Sequence, residues 1–186
     1  MKLLEEILQH NEQFVADKKY EEYATTKFPN KKMVILTCMD TRLLELLPKA
    51  INVSNGDVKI VKNAGALVSH PFGSIMRSLL IAVYQLQADE VLVIGHHDCG
   101  MSGMKADTVI DSMKKRGITE ATLNTVNYSG VDVNAWLSGF DNVCDSVGHS
   151  VDIIKHHPFM PKDVPVHGLV ISPETGKLDL VVNGYE

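Results

Sequence analysis

Hydrophobic side chains along this chain follow two rhythms. Met33-Val-Ile-Leu36 and Val91-Leu-Val-Ile94 are short, continuous apolar runs. Such runs fit strands buried on both faces, as in a parallel sheet covered by helices. Elsewhere the apolar positions recur every three or four residues, the period of a helix with one buried face. Taken in order, residues 2–18 place Leu3, Leu4, Ile7, Leu8, Phe14 and Val15 at near-helical spacing. That helix packs either on a partner subunit or on its own domain. Residues 20–30 connect it to a first strand at 33–37, which a short helix near 43–48 follows. A second strand covers 58–62, and a helix runs from Pro71 to about Gln87 with Ile75, Leu79, Leu80, Val83 and Leu86 on one face. A third strand covers 90–95.

The second half reads less evenly. Gly100 to Gly117 fits a helix with Met104, Ile110 and Met113 turned inward. Residues 119–141 suggest two short helices around a Tyr128-Ser129-Gly130 break, and Val143, Val147, Val151 and Ile154 give a helix ending near His157-Pro158. A fourth strand covers 166–171. After the turn Pro173-Glu-Thr-Gly176, residues 178–182 fit an added edge strand in a hairpin. Alternating strands and helices predict an α/β fold. No repeat, low-complexity linker or boundary interrupts it, so the reading is one domain over 1–186, with 1–30 as an N-terminal helical arm.

Composition narrows the function. The chain has 186 residues, 45% of them hydrophobic and 22% charged, with a formal charge of -5. That charge argues against nucleic-acid binding, which needs a positive footprint. No apolar run approaches the roughly 18 residues of a membrane span. Glu5 and Glu6 interrupt the N-terminus at once, unlike a signal peptide. The expected compartment is the cytoplasm, where the three cysteines are thiols rather than disulfides.

The candidate chemistry sits just beyond two of the strands. Cys38, Asp40 and Arg42 follow the first, and His96 and Cys99 follow the third. Ligands of open α/β sheets bind beyond the carboxyl ends of strands. If the two strands are neighbours, Cys38, His96 and Cys99 meet at one sheet edge. Two thiolates and an imidazole suit zinc, and three protein ligands leave a fourth position for water, as in catalytic sites. Asp40 could accept the one hydrogen of a zinc-bound hydroxide, and Arg42 could keep Asp40 ionised and off the metal. Two thiolates also cancel the dication's formal charge, so hydroxide is expected only at mildly alkaline pH, with activity climbing as pH rises. Asn63-Ala-Gly-Ala66 offers small residues where backbone approaches something closely.

Other residues invite plainer readings. Cys144 lies in a helix with no His or Cys one turn on, and reads as a buried thiol. His97 is a neighbour of the ligand that could relay protons. His156 and His157 read as capping or solvated at a helix end, and His167 as packed.

Cys38-Met-Asp40-Thr-Arg42, then Asn63-Ala-Gly65, then Gly95-His-His-Asp-Cys-Gly100 resemble the β-class carbonic anhydrases, most closely their short form. The likeness spans roughly residues 30–185. It implies a mostly parallel central sheet of four strands with an added C-terminal antiparallel edge strand. It implies Cys38, His96 and Cys99 as ligands of one Zn2+ per subunit, with Asp40 and Arg42 as the catalytic pair. It implies reversible hydration of carbon dioxide to bicarbonate by zinc-hydroxide attack, in a homodimer or homotetramer. Val68, Phe72 and Met101 are candidates to line the apolar substrate pocket. Two rivals stand: a carbonyl sulfide or carbon disulfide hydrolase on the same scaffold, and a non-catalytic zinc protein. A cysteine phosphatase is excluded because position 44 is Leu44, where a phosphate loop needs Arg.

Overall fold

A computed structural model describes residues 2–186. The two apolar runs become β1 (Met33–Cys38) and β3 (Glu90–His96), buried along nearly their whole length. They pair in parallel, Val34 against Val91 and Thr37 against Ile94. β2 (Val58–Asn63) lies outside β1 as a half-buried parallel edge. β4 (Val166–Ile171) joins β3 in parallel, and β5 (Leu178–Val182) closes the other edge antiparallel to β4. The order is β2-β1-β3-β4-β5, so four parallel strands carry one antiparallel edge strand, as the sequence led us to expect.

That order fixes which helix goes where. From β1 the chain crosses to β2 through α2 (Leu43–Ala50). From β2 it returns past β1 to β3 through α3 (Ser74–Leu86). Right-handed crossovers running in opposite directions put their helices on opposite faces. The core divides accordingly. Val34, Leu36, Val91, Val93, Val166 and Val170 pack with Met76 and Leu79 of α3 and with Val147, Val151 and Ile154 of α7 (Val143–Lys155). Ile35, Ile94 and Ile171 pack on the other face with Leu43 and Leu47 of α2.

Between β3 and α7 lie α4 (Ala106–Lys115), α5 (Glu120–Tyr128) and α6 (Val133–Leu137). The last two flank the Tyr128-Ser129-Gly130 break as expected. Asn142 caps α7 by accepting from the backbone N–H groups of Cys144 and Asp145.

Several expectations need correction. The helix assigned from Gly100 starts at Ala106, because the 101–104 backbone is tied instead to the segment before α7. Phe140 N–H donates to the Met101 carbonyl, Gly103 N–H to that of Phe140, and Gly139 N–H to that of Met104. The helix assigned from Pro71 starts at Ser74, because the His70 ring takes the Phe72 N–H in a preceding turn. The N-terminal α1 (Leu3–Ala16) buries no residue. Leu3, Leu4, Ile7, Leu8 and Val15 are all exposed, so this stripe does not pack on the sheet domain, and Phe14 meets the Tyr23 ring of the following segment. Among the described residues no helix is long and apolar enough to cross a membrane.

Two glycines set how closely α7 approaches the sheet. A Cβ at Gly168 would lie 2.8 Å from a Val147 methyl and 3.2 Å from one of Val151. Gly95, on the neighbouring strand and the same face, would meet Val147 at 2.8 Å and Val143 at 2.9 Å. Gly168→Ala is therefore expected to destabilise the protein by about 1–3 kcal/mol through overpacking. Urea denaturation would register that loss, and Val147→Ala in the same chain should recover part of it.

Candidate metal centre

β1 and β3 are the strands between which the winding reverses, and each ends in a ligand-type side chain. Cys38 is the last residue of β1 and His96 the last of β3, and Cys99 sits in the turn that follows. All three are buried, and their Sγ and ring-nitrogen atoms lie within 4.8 Å of one another. The sulfurs of Cys38 and Cys99 are 3.9 Å apart. Two sulfurs held at about 2.3 Å from one tetrahedral zinc ion would be separated by about 3.8 Å.

The histidine supplies an independent test of fit. His96 Nδ1 lies 2.8 Å from the His97 carbonyl oxygen. A carbonyl only accepts, so Nδ1 carries the hydrogen and Nε2 of the neutral ring carries the lone pair. His96 is 1% exposed, and its Nε2 has no hydrogen-bond partner. A buried polar atom left without a partner is costly; the Nε2 atoms of His157 and His167 are left so as well, but that of His96 is the one grouped with two sulfurs. A metal ion held with the two sulfurs would satisfy it. The carbonyl contact is also the type of outer support that fixes a metal-binding imidazole.

The turn after β1 places Asp40 and Arg42 at the rim of this cluster. Asp40 Oδ1 accepts from the Arg42 backbone N–H (2.9 Å) and from Nε (3.0 Å), while Nη2 donates to Oδ2 (2.8 Å). These bonds from Arg42 hold the Asp40 carboxyl down at about 2, against the opposing effect of burial. Asp40 Oδ2 lies 3.7 Å from His96 Nε2, so the carboxylate faces the ligand cluster from the side.

The two thiols are unequal. Burial pushes Cys38 up, but the His96 ring and the backbone N–H groups of Gly65 and Asp40 outweigh it and bring the thiol down to about 7. Burial raises Cys99, and the neighbouring Cys38 adds to the rise. His96 is raised by the Cys38 sulfur beside it, against burial. The close backbone approach expected around residues 63–66 is made to Cys38 itself: Gly65 N–H donates to its sulfur at 3.4 Å. Gly65 has φ +86, and a Cβ there would press on Leu67, Phe140 and Met101 at 3.0–3.2 Å. Glycine is required on both counts.

Other assignments divide. Of the three pocket candidates only Met101 packs with the core cluster that holds Cys38 and Cys99. Val68 is buried in the opposite cluster, against α3 and α7. Phe72 is exposed and lies on the rings of His157 and Phe159. Cys144 is exposed, not buried, because α7 turns Val147, Val151 and Ile154 to the sheet. His157 is neither capping nor solvated: it is buried, and its Nδ1 accepts the Phe159 N–H. His167 is packed as expected, edge-on to Tyr185 at 4.5 Å. His97 is half-exposed, with Nε2 3.7 Å from Asp179. One residue at the centre carried no assignment from sequence, Asp98, which accepts from Arg42. Its place immediately before Cys99 was the available signal. A cavity of about 1000 Å³ between the start of α3 and helices α4–α6 contains none of these residues, so chemistry and not cavity size locates the site.

Comparison with known proteins follows the same lines. The sequence profile of the carbonic anhydrase family matches residues 33–178. YtiB of Bacillus subtilis, provisionally named a carbonic anhydrase, is 63% identical over 185 residues, covering 100% of this chain and 99% of its own. The crystal structure of β-carbonic anhydrase isoform I from Trichomonas vaginalis superposes with a TM-score of 0.90 at 33% identity, covering 100% of both chains. A carbon disulfide hydrolase from Acidithiobacillus thiooxidans is 26% identical over 155 residues, 80% of this chain and 76% of its own.

Cys38→Ser, His96→Ala and Cys99→Ser are each expected to abolish stoichiometric metal binding, with Cys144→Ser leaving it intact. Elemental analysis of the purified, dialysed variants measures this. Full metal retention by any of the first three would remove that residue from the ligand set.

Proposed function

This chain belongs to the β-carbonic anhydrase family, and on that basis we propose that it catalyses the reversible hydration of carbon dioxide to bicarbonate and a proton. Cys38, His96 and Cys99 hold one zinc ion per subunit, and Asp40 with Arg42 forms the catalytic pair. The observation that carries this reading is a pair of buried sulfurs 3.9 Å apart, spaced for one ion, with the unpartnered His96 Nε2 grouped with them within 4.8 Å. Zinc, when bound, supplies a Lewis acid that makes water a usable nucleophile near neutral pH.

The protein's own groups then have defined tasks. Asp40, ionised down to about pH 2, accepts a hydrogen bond from the attacking water and turns its lone pair toward the carbon. A carboxylate so acidic is a poor proton store at neutral pH, so it orients the nucleophile while the released proton leaves for buffer. Arg42 holds both carboxylate oxygens and so keeps Asp40 from closing on the ligands. The Cys38 and Cys99 thiolates offset the charge of a dication, which moves the ionisation of the attacking water toward alkaline pH. Met101, with Phe140 and Leu67 around Gly65, forms the nearest apolar wall.

The same groups could serve hydrolysis of carbon disulfide, the reaction in the name of the Acidithiobacillus relative. A zinc protein that only binds or senses has no evident use for an aspartate held at the ligands by a guanidinium. For assembly we propose a homodimer or homotetramer, in which the exposed apolar stripe of α1 is covered by a second copy. The site needs free thiols, which suits the cytoplasm.

Stopped-flow assay of the zinc-loaded protein should show carbon dioxide hydration whose rate rises from neutral to alkaline pH. Because Asp40 keeps its charge far below neutrality, no step from it should appear between pH 4 and 6, within roughly the ordinary carboxylate range. Asp40→Asn should cost about 100-fold in kcat with zinc retained. Hydrogen sulfide release from carbon disulfide without hydration activity would favour the hydrolase, and inertness toward both substrates would favour a binding role. Light scattering of the purified chain should give a mass of two or four subunits, falling when Leu4 and Ile7 are both replaced by Glu.

A further inference from the structure

Arg42 does more than hold Asp40. Its Nη1 donates to Asp98 Oδ2 at 2.8 Å, and its Nη2 also donates to the Asp98 carbonyl oxygen at 2.9 Å. With the two bonds to Asp40, the guanidinium is gripped from both sides. The two acidic residues lie 58 positions apart in sequence, one in the turn after β1 and one in the turn after β3. Asp98 immediately precedes Cys99 and has φ +53. Aspartate is among the few residues that adopt this left-handed conformation readily. The conformation accompanies an arrangement in which carbonyl and carboxylate of one residue both meet one guanidinium.

The energetics indicate what this contact is for. Asp98 is 85% exposed and Arg42 40%. Exposed ion pairs add little to folding stability, so stability does not account for a residue gripped at four points. Geometry does. Held by Asp40 alone, the pair could swing together about the Asp40 side chain. Held also by the turn that bears Cys99, it has one position relative to the ligands.

We propose that Asp98 is a positioning residue: it locks Arg42 to the Cys99 turn and thereby fixes the direction in which Asp40 faces the metal ligands. The proposal rests on the catalytic reading of Asp40 and Arg42 given above, and extends it to a residue outside that pair.

The test uses the full chain and two variants that keep the left-handed backbone, Asp98→Gly and Asp98→Asn. Arginine-selective NMR reads the Arg42 Nε–H directly. That signal should be protected from solvent exchange in the native protein, lose protection in Asp98→Gly and keep most of it in Asp98→Asn. Asp98→Gly should also lower kcat about 10-fold, the lower end for loss of such outer support, with zinc content unchanged. In an Arg42→Ala background it should have no further effect, since the path from Asp98 to Asp40 is already cut. Unchanged protection in Asp98→Gly, loss of zinc from it, or an additive effect in the Arg42→Ala background would each overturn the proposal. The NMR comparison decides it even if the native protein hydrates no carbon dioxide, which would count against the catalytic reading and not against the role of Asp98.

Discussion

The connections that leave the carboxyl ends of β1 and β3 turn to opposite faces of the sheet, α2 to one and α7 to the other, and the Cys38–His96–Cys99 cluster depends on that divergence. Where two such connections part, a crevice opens beyond the carboxyl ends of the strands between them. Here those ends are Cys38 on β1 and His96 on β3, in adjacent parallel strands. A bridging helix over this position would bury the same residues as ordinary core. The pairing of β1 with β3, and not with β2 alone, turns two motifs far apart in sequence into one cluster.

The fold was legible because parallel strands under two helical layers leave a plain trace, continuous apolar runs at 33–37 and 90–95. The meeting of Cys38, His96 and Cys99 was legible for a related reason: reactive residues directly after such a run must lie at the sheet's carboxyl edge. What escaped depended on contacts between distant segments. Nothing in Gly100–Lys105 announces that its backbone bonds to residues 139 and 140 in place of starting a helix. The exposure of Cys144 follows from which side of α7 meets the sheet, a matter settled by Gly95 and Gly168 on other elements. Asp98 was visible as a letter but not as a partner, because its role requires knowing that Arg42 reaches across to the second turn.

Electrostatics at the centre follows a consistent plan. Cysteines and aspartates concentrate negative charge there, and the Arg42 guanidinium answers it. Arg42, whose own acidity is suppressed further by Asp40 and Asp98, stays charged at any working pH. Its pairing keeps both Asp40 oxygens engaged at the rim of the cluster. Without that pairing a free carboxylate beside a cation would act as one more ligand, and the position needed by water would close.

The inequality of the two sulfurs is the last consequence of this geometry. Cys38 receives the Gly65 N–H because a glycine in left-handed conformation lets the chain after β2 fold back over the end of β1. It also stands beside His96. Cys99 lies in a turn where burial dominates, and each negative charge nearby makes its ionisation harder. Cys38 is therefore the sulfur more readily ionised, and Cys99 the one held toward its thiol form. The fold thus biases the two sulfurs in opposite directions, through a backbone N–H and an imidazole at Cys38 and through burial at Cys99.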